Sequence, residues 1–444
     1  MLRRLLRPQA VRLVAVSNHP FVPLRHREVR LWWGAAVVSD IGTWVQLIVV
    51  GSLVAAGTGS AVQTGLVALA TFMPQGIASP VGGLLADKYD RRKVFAAALM
   101  VQAMVTIVLA VALGMGVRTP AVLTLLILLG SAAGATGAPS YAAMQPDLVP
   151  PEELMAMVSL GVYSWNSGRI IGPLLGSVLV LGVGPAWTIG FNALSFVVMA
   201  GAVSLVRRPF RPHDDAIDML DATVRGRLVS GWRTMRATPA CWHGVVLLVM
   251  FNLTVVPFMG LIPIYVRLEH DGGTGLTGAV ASAQGIGAIL GGVAITLLAA
   301  RHRRSFLVGR LMFALSLALV AYALAPNTAW LIASSAVLGA CSASMFISSS
   351  SIIQRDAPSA SRGRVMSIMQ AAMGISYGIG LLFIGSIADA TNLRLAFCVG
   401  ATLLLVFFAA LTFRSRHWRV AIDGTEVLSI DRVPAGPLSV ACGD

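Results

Sequence analysis

The chain has 444 residues, 56% of them hydrophobic and only 12% charged, and its mean hydropathy is +0.79. A soluble chain of this length carries about 25% charged residues, so a soluble protein is excluded and an integral membrane protein is implied. The formal net charge of +14 does not argue for a nucleic-acid partner, because the basic residues stand between apolar runs instead of on one amphipathic face.

In chain order, residues 1–30 form a basic N-terminal segment whose apolar stretches are too short and interrupted for a cleaved signal. Twelve apolar runs then begin near Leu31, Gln63, Val94, Ala121, Leu154, Trp187, Gly244, Gly278, Phe306, Trp330, Val365 and Leu395. Each is about 20 residues long, the length of helix that crosses a bilayer. Two six-helix bundles are therefore expected, at 31–206 and 241–414. Between them, residues 207–240 form a linker in which Val224, Leu228, Trp232 and Met235 recur at helical spacing among arginines, a pattern that suits a helix on the membrane surface. Residues 415–444 are polar and Gly/Pro-containing, which predicts a disordered tail.

The basic residues orient this array. Only Arg118, Arg267 and Arg394 fall in the loops after spans three, seven and eleven, and the loops after spans one, five and nine have none. Both termini and the even-numbered loops are thereby expected on the cytoplasmic side of the cell (inner) membrane. The halves also repeat weakly. Thr64–Ala70 matches Thr277–Ala283, and Gln145, Asp147, Met157, Gly176 and Ser177 recur as Gln354, Asp356, Met366, Gly385 and Ser386. An even number of spans separates the pairs, so the repeats run parallel.

Ionisable residues inside a span mark function by default, since a carboxylate at a helix centre costs roughly 2.5–3.5 kcal/mol on insertion scales. Asp40 in span one is the acidic residue set deepest in a run, and Arg169 in span five is its cationic counterpart; Asp389 stands at a span end. Asp40 suits a proton-coupling carboxylate or a structural one capped by Ser39, Thr43 or an arginine. Arg169 suits a partner for Asp40, a helix contact or a site for an anionic substrate. Gln46 lies six residues beyond Asp40, about 240° around the helix, and faces elsewhere. Gly168, Gly172, Pro173 and Gly176 form a small-residue face with a kink on span five, and Gly285, Gly287, Gly291 and Gly292 predict close packing on span eight. Trp44, Gln46, Tyr163, Trp165, Asn166, Asn252 and Gln284 are candidate cavity-lining residues.

The turn GGLLADKYDRRK, Gly82 to Lys93, holds six charges in the seven positions from Asp87. With Gly83, Asp87, Lys88, Asp90, Arg91 and Arg92 it resembles the signature loop between spans two and three of the major facilitator superfamily, departing from it at Asp90, where a glycine is commoner. SDIGTWVQ at Ser39–Gln46, PSYAAMQPDLVPPEEL at Pro139–Leu154, NSGRIIGPLLGS at Asn166–Ser177, FNALSF at Phe191–Phe196 and RGRVMS at Arg362–Ser367 resemble the drug and siderophore exporter branch, which includes enterobactin-type exporters and macrolide efflux proteins. The resemblance implies an all-α fold of twelve transmembrane helices in two pseudo-repeated bundles. The small-residue face of span five resembles an antiporter motif, with Ser177 in place of its final glycine. By charge alone, Arg91 and Arg92 can pair with Asp147, Glu152 or Glu153, the acidic cluster in the one inner loop without Lys or Arg, as a cytoplasmic gate.

No GxxxxGK[ST], HExxH or GxSxG occurs, so ATP-driven transport and enzyme chemistry are not expected. Cys241, Cys341, Cys398 and Cys442 lack metal-ligand spacing, and no cofactor or metal is implied. The expectation is a monomeric secondary exporter of a bulky amphipathic small molecule, drug-like or siderophore-like, with protons as counter-ion. An uptake permease and a receptor-like protein on the same scaffold are the alternatives.

Overall fold

The computed structural model describes residues 20–206, 224–299, 301–358, 361–414 and 417–423; within these, the side chains at 79, 80, 87, 224–229, 414 and 417 lie outside the description. Among the described residues there is no strand. In lipid every backbone N–H and C=O needs an internal partner, which apolar runs of this length meet by forming helices.

The helices are α1 (Arg27–Thr58), α2 (Ala61–Lys88), α3 (Arg91–Gly114), α4 (Pro120–Leu148), α5 (Leu154–Leu205), α6 (Val224–Ala237) and α7 (Pro239–Thr254) in the first part of the chain. There follow α8 (Pro257–Glu269), α9 (Thr274–Ala299), α10 (Arg304–Ala323), α11 (Thr328–Asp356), α12 (Arg362–Ala390), α13 (Leu393–Arg414) and α14 (His417–Asp423). Most begin several residues before the apolar runs do, because their first turns carry caps and interfacial polar residues. Ser60 Oγ accepts from Gln63 N at 3.2 Å, Asp90 Oδ1 from Arg92 N at 2.9 Å, and Asn327 Oδ1 from Trp330 N at 2.9 Å.

Eleven helical stretches are long and apolar enough to cross a bilayer, α7 and α8 together counting as one. The 52-residue α5 supplies two crossings, because Gly184 takes φ +81° and ψ 167°, immediately before Pro185. Only glycine adopts that backbone without strain, and the proline removes the next helical N–H. The chain doubles back there: Leu160 accepts a bond from Trp33 on α1, while Asn192, on the returning limb, bonds Gln46 on the same helix. The described residues thus form twelve crossings, as the hydropathy pattern predicts.

In the first half α5 packs on α1 and α3, and α4 on α2 and α3; in the second, α11 packs on α9 and α10, α13 on α10, and α12 on α7. Between the halves, α5 meets α9 and α12 meets α2. The repeat equates span two with eight and span five with eleven, so these two contacts are the same contact seen twice. Aromatic stacking anchors each half. Trp32, fully buried, lies 4.6 Å from the Tyr141 ring, and Tyr265, Tyr322 and Phe397 form a buried trio in the second half.

Two connecting segments differ from expectation in instructive ways. Residues 224–237 of the linker do form a helix, but α6 docks on protein: the Cα of Gly231 is so close to α12 that a Cβ would stand 2.8 Å from Ile368 and 3.1 Å from the Arg364 carbonyl. The tail was expected to be disordered from residue 415, yet 417–423 form α14 against α7 and α10. Its Trp418 and Ile422 are buried, and Asp423 accepts from Ser305 N at 2.9 Å and Ser305 Oγ at 2.6 Å, capping α10. Two apolar anchors and one cap in seven residues escape a reading based on average polarity. The rest of the tail, and residues 1–19, lie outside the described residues.

Candidate functional site

A cavity of about 1180 Å³ lies between the two halves, in the half of the bundle nearer the face that carries the charged turn. Its wall comes from the middle and charged-turn ends of the spans: residues 36–43 of α1, 158–169 of α5, 288–297 of α9 and 342–347 of α11. Toward this face α5 and α9 diverge, and both line the space. Tyr163 and Trp165 on its wall remain 42% and 38% exposed.

Toward the opposite face the halves are closed. A stripe of small residues brings α5 and α9 together: a Cβ on Gly278 would stand 2.6 Å from the Pro173 carbonyl, and one on Gly285 3.1 Å from that of Arg169. Polar bonds reinforce the seam. Ser177 Oγ donates to Thr274 O at 2.6 Å, and Ser282 Oγ to Ile170 O at 2.5 Å. On the α2–α12 side, Asp389 caps the start of α2, accepting from Ser60 Oγ at 2.7 Å, Ala61 N at 2.5 Å and Val62 N at 3.2 Å. An anion at a helix N-terminus meets unpaired N–H groups and the positive end of the dipole. Sequence reading noted Asp389 only as a span-end residue; its partner, distant by more than 300 residues, is invisible without the fold.

Gly168, Gly172 and Gly176 pack on α1. A Cβ on Gly168 would meet the Asp40 carbonyl oxygen at 2.8 Å, and one on Gly172 the Trp44 Cβ at 2.6 Å. This backbone approach sets Asp40 and Arg169 on one cavity wall. They are not paired in this conformation. Asp40 accepts a short bond from the Ser164 hydroxyl. Arg169 donates from Nε to Gln284 Oε1 at 3.0 Å and approaches the Met259 sulfur at 3.8 Å and the Trp44 ring at 6.0 Å. The glycines on α9 divide their work. Gly287 and Gly291 sit against the backbone of Ala336 and Ala340 on α11, Gly292 faces Ile347, and Gly285 faces the first half.

Of the other candidates, Tyr163, Trp165, Asn166 and Asn252 line the cavity, whereas Trp44, Gln46 and Gln284 do not. Gln46 accepts from Asn192 Nδ2 at 2.8 Å, while Trp44 and Gln284 are buried behind Arg169. The cavity also takes in Gln75, Gln102 and Gln145, amides on three spans of the first half that sequence reading missed. A glutamine in an apolar run was the available signal. The second half contributes mainly apolar wall, including Phe251, Met259, Ile289 and Phe346.

The charged turn serves the first half. Asp90 caps α3, Arg92 Nη1 donates to Val206 O at 2.8 Å, and Arg91 Nη1 reaches Ala143 O at 3.5 Å and Asp147 at 3.8 Å. Lys88 lies over the Tyr89 ring at 5.4 Å. Glu153 pairs with Arg25 and His26 instead of the turn, and Glu152 is exposed. The backbone approach is made by Gly82, packed on the Thr136 carbonyl, while Gly83 has open space around it. The side chain of Asp87 lies outside the described residues.

The profile of the family described as transmembrane secretion effector matches residues 18–440. Macrolide efflux protein A of Streptococcus pyogenes is 23% identical over 389 residues, covering 84% of this chain and 92% of its own. The multidrug efflux pump Tap of Mycolicibacterium fortuitum is 26% identical over 390 residues, covering 86% and 94%. Among solved structures, a bacterial homologue of the human lysosomal transporter Spinster, inward-facing and unoccupied, superposes with a TM-score of 0.68 at 14% identity, covering 89% of this chain and 97% of that one. A D-xylose–proton symporter does so with a TM-score of 0.66 at 12% identity, covering 85% and 95%. Twelve crossings in two related halves around a central cavity, with a family match over nearly the whole length, lead to one conclusion: this chain is a multi-pass membrane transporter that belongs to the transmembrane secretion effector family of the major facilitator superfamily.

Proposed function

We propose that the protein exports a bulky amphipathic small molecule from the cytoplasm by alternating access, driven by proton antiport. The cavity carries this reading. At about 1180 Å³ it exceeds the roughly 300–1,000 Å³ of common small-molecule pockets, and its wall pairs an amide-bearing first half with an apolar second half. Such a wall suits a large molecule with one polar and one apolar side. The efflux relatives support the outward direction, and the distribution of basic residues supports a cytoplasmic charged-turn face. In that orientation the described conformation faces inward, with its outer seam held by Asp389 and by Ser177 and Ser282.

Asp40 is the coupling carboxylate in this reading, since it sits in the cavity wall with one hydroxyl partner and no cation bound to it. Proton binding at Asp40 and substrate loading share one cavity wall, so each can bias the other, which is what coupling requires. Arg91, Arg92 and Asp147 brace the first half as a rigid body, the glycine face of α5 locks α1 into it, and Gly278 and Gly285 of α9 form the close seam on which that body rocks. Reconstituted proteoliposomes loaded with a fluorescent amphipathic dye test the reading. A transporter gives saturable dye flux that responds to an imposed pH gradient. Dye binding without flux would identify a receptor-like protein instead. As a control, deletion of residues 424–444 leaves Asp423 on α10 and is expected to leave flux intact.

A further inference from the structure

Arg169 presents an unmet demand. It lines the cavity, yet none of the ion pairs among the described residues includes it. Nε is bonded to Gln284 Oε1 at 3.0 Å, Nη2 meets only a thioether sulfur at 3.8 Å, and Nη1 bonds nothing. The groups beside it deepen the imbalance. Gln284 is 2% exposed and Trp44 7%, and Gln284 Nε2 and Trp44 Nε1 are both buried donors without an acceptor. Gln284 spends its one acceptor oxygen on Arg169. Asp40, the carboxylate on this wall, is engaged by Ser164 and not by the guanidinium.

A buried donor left unpaired costs about 1–3 kcal/mol, and an intramembrane cation more. A guanidinium on the cavity wall, backed by two buried donors and only one acceptor, describes a site whose missing component is an acceptor. A planar guanidinium held at Nε by an amide keeps its two Nη groups for a carboxylate or phenolate, the geometry that favours bidentate binding.

We infer that Arg169, positioned by Gln284 and backed by Trp44, is the recognition site for an acidic group on the transported molecule, which is therefore an amphipathic acid whose apolar body lies along the second half. The inference rests on the transport reading for the word "transported", but the site itself is tested by binding alone. The apolar partner surface is Met259, Ile289 and Phe346, on the far side of the cavity from the amides of the first half. Gln284 acts as a positioning residue, because its oxygen fixes which guanidinium nitrogens face the cavity.

The test uses full-length protein in lipid nanodiscs and two probes with one apolar body, 11-(dansylamino)undecanoic acid and its methyl ester. Binding is read as tryptophan-to-dansyl energy transfer, with empty discs subtracted. The wild type is expected to hold the acid about tenfold more tightly than the ester. Arg169→Gln brings the acid-to-ester ratio to about one while ester affinity stays, which also shows that the variant is folded; Arg169→Lys restores part of the ratio. Gln284→Met lowers the ratio without changing ester affinity, a result that loss of packing alone does not give. Equal binding of acid and ester by the wild type, or an unchanged ratio in Arg169→Gln, overturns the inference. Flux separates it from the transport reading: an acid preference without flux of either probe sinks only the latter, and flux of the ester with no acid preference sinks only the former.

Discussion

Asp389→Ala tests how the outer seam is held. The carboxylate accepts from Ser60 Oγ, Ala61 N and Val62 N, so one side chain of α12 occupies the N-terminus of α2 in the other half. Buried charge-assisted bonds are worth about 1.5–3 kcal/mol, and an exposed carboxylate at a helix N-terminus about 0.3–1 kcal/mol. Asp389 is exposed, which places its contribution near the lower figure, about 1 kcal/mol. The contact exists only while the seam is closed, so its loss shifts the equilibrium toward the seam-open state by about fivefold. Nitroxide labels at Gly57 and Ala390, exposed positions on α1 and α12, report the separation by double electron–electron resonance on a background without native cysteines. The longer-distance population is expected to rise about fivefold in Asp389→Ala and less in Asp389→Asn, which keeps one acceptor. Identical distance distributions in wild type and Asp389→Ala would refute the reasoning.

Other outcomes follow from the packing. Gly172→Ala would press a methyl group onto the Trp44 Cβ and the Ile41 carbonyl, an overpacking worth about 1–3 kcal/mol, so the melting temperature in detergent is expected to fall, whereas Gly83→Ala, in open space, leaves it unchanged. Burial and the nearby Arg394 guanidinium push the His270 imidazole below its ordinary value of 6.5, against the opposing pull of Glu269. The unfolded chain then takes up a proton before the folded one does, so stability is lost as pH falls below about 6.5; His270→Gln is expected to flatten the melting-temperature profile between pH 6.5 and 5. Trp418→Ala, which empties a fully buried indole site between α14 and its neighbours, is expected to cost about 3–5 kcal/mol, while truncation after Asp423 costs little by the same thermal assay.

How far the sequence carries depends on whether a signal is local. Asp40 and Arg169 stand out because ionisable groups are rare in apolar runs, and the structure sets both on one cavity wall. Their relation to each other was not local. The expected pair is replaced by Asp40 with Ser164 and Arg169 with Gln284, because Gln284 comes from the other half across the α5–α9 seam. The same limit explains Gln75, Gln102 and Gln145: an amide in a span reads as ordinary until the fold turns it toward a cavity. Trp44 and Gln284 show the reverse, polar residues whose helical faces turn away from the space they were expected to line. Glu153 was expected to pair with the charged turn as part of the acidic cluster with Asp147 and Glu152, yet Arg25 and His26 reach it from the start of the chain. The small-residue faces of α5 and α9 were legible because glycine spacing on a helix is itself the geometric fact that permits close approach.

The central claim is that Asp40 couples outward movement of an amphipathic molecule to protons. It is tested most directly by dye accumulation in proteoliposomes under an imposed pH gradient, with wild type and Asp40→Asn side by side. The account predicts uphill accumulation by the wild type that a protonophore abolishes, and only downhill exchange by Asp40→Asn. Uphill accumulation by Asp40→Asn with unchanged pH dependence would contradict it.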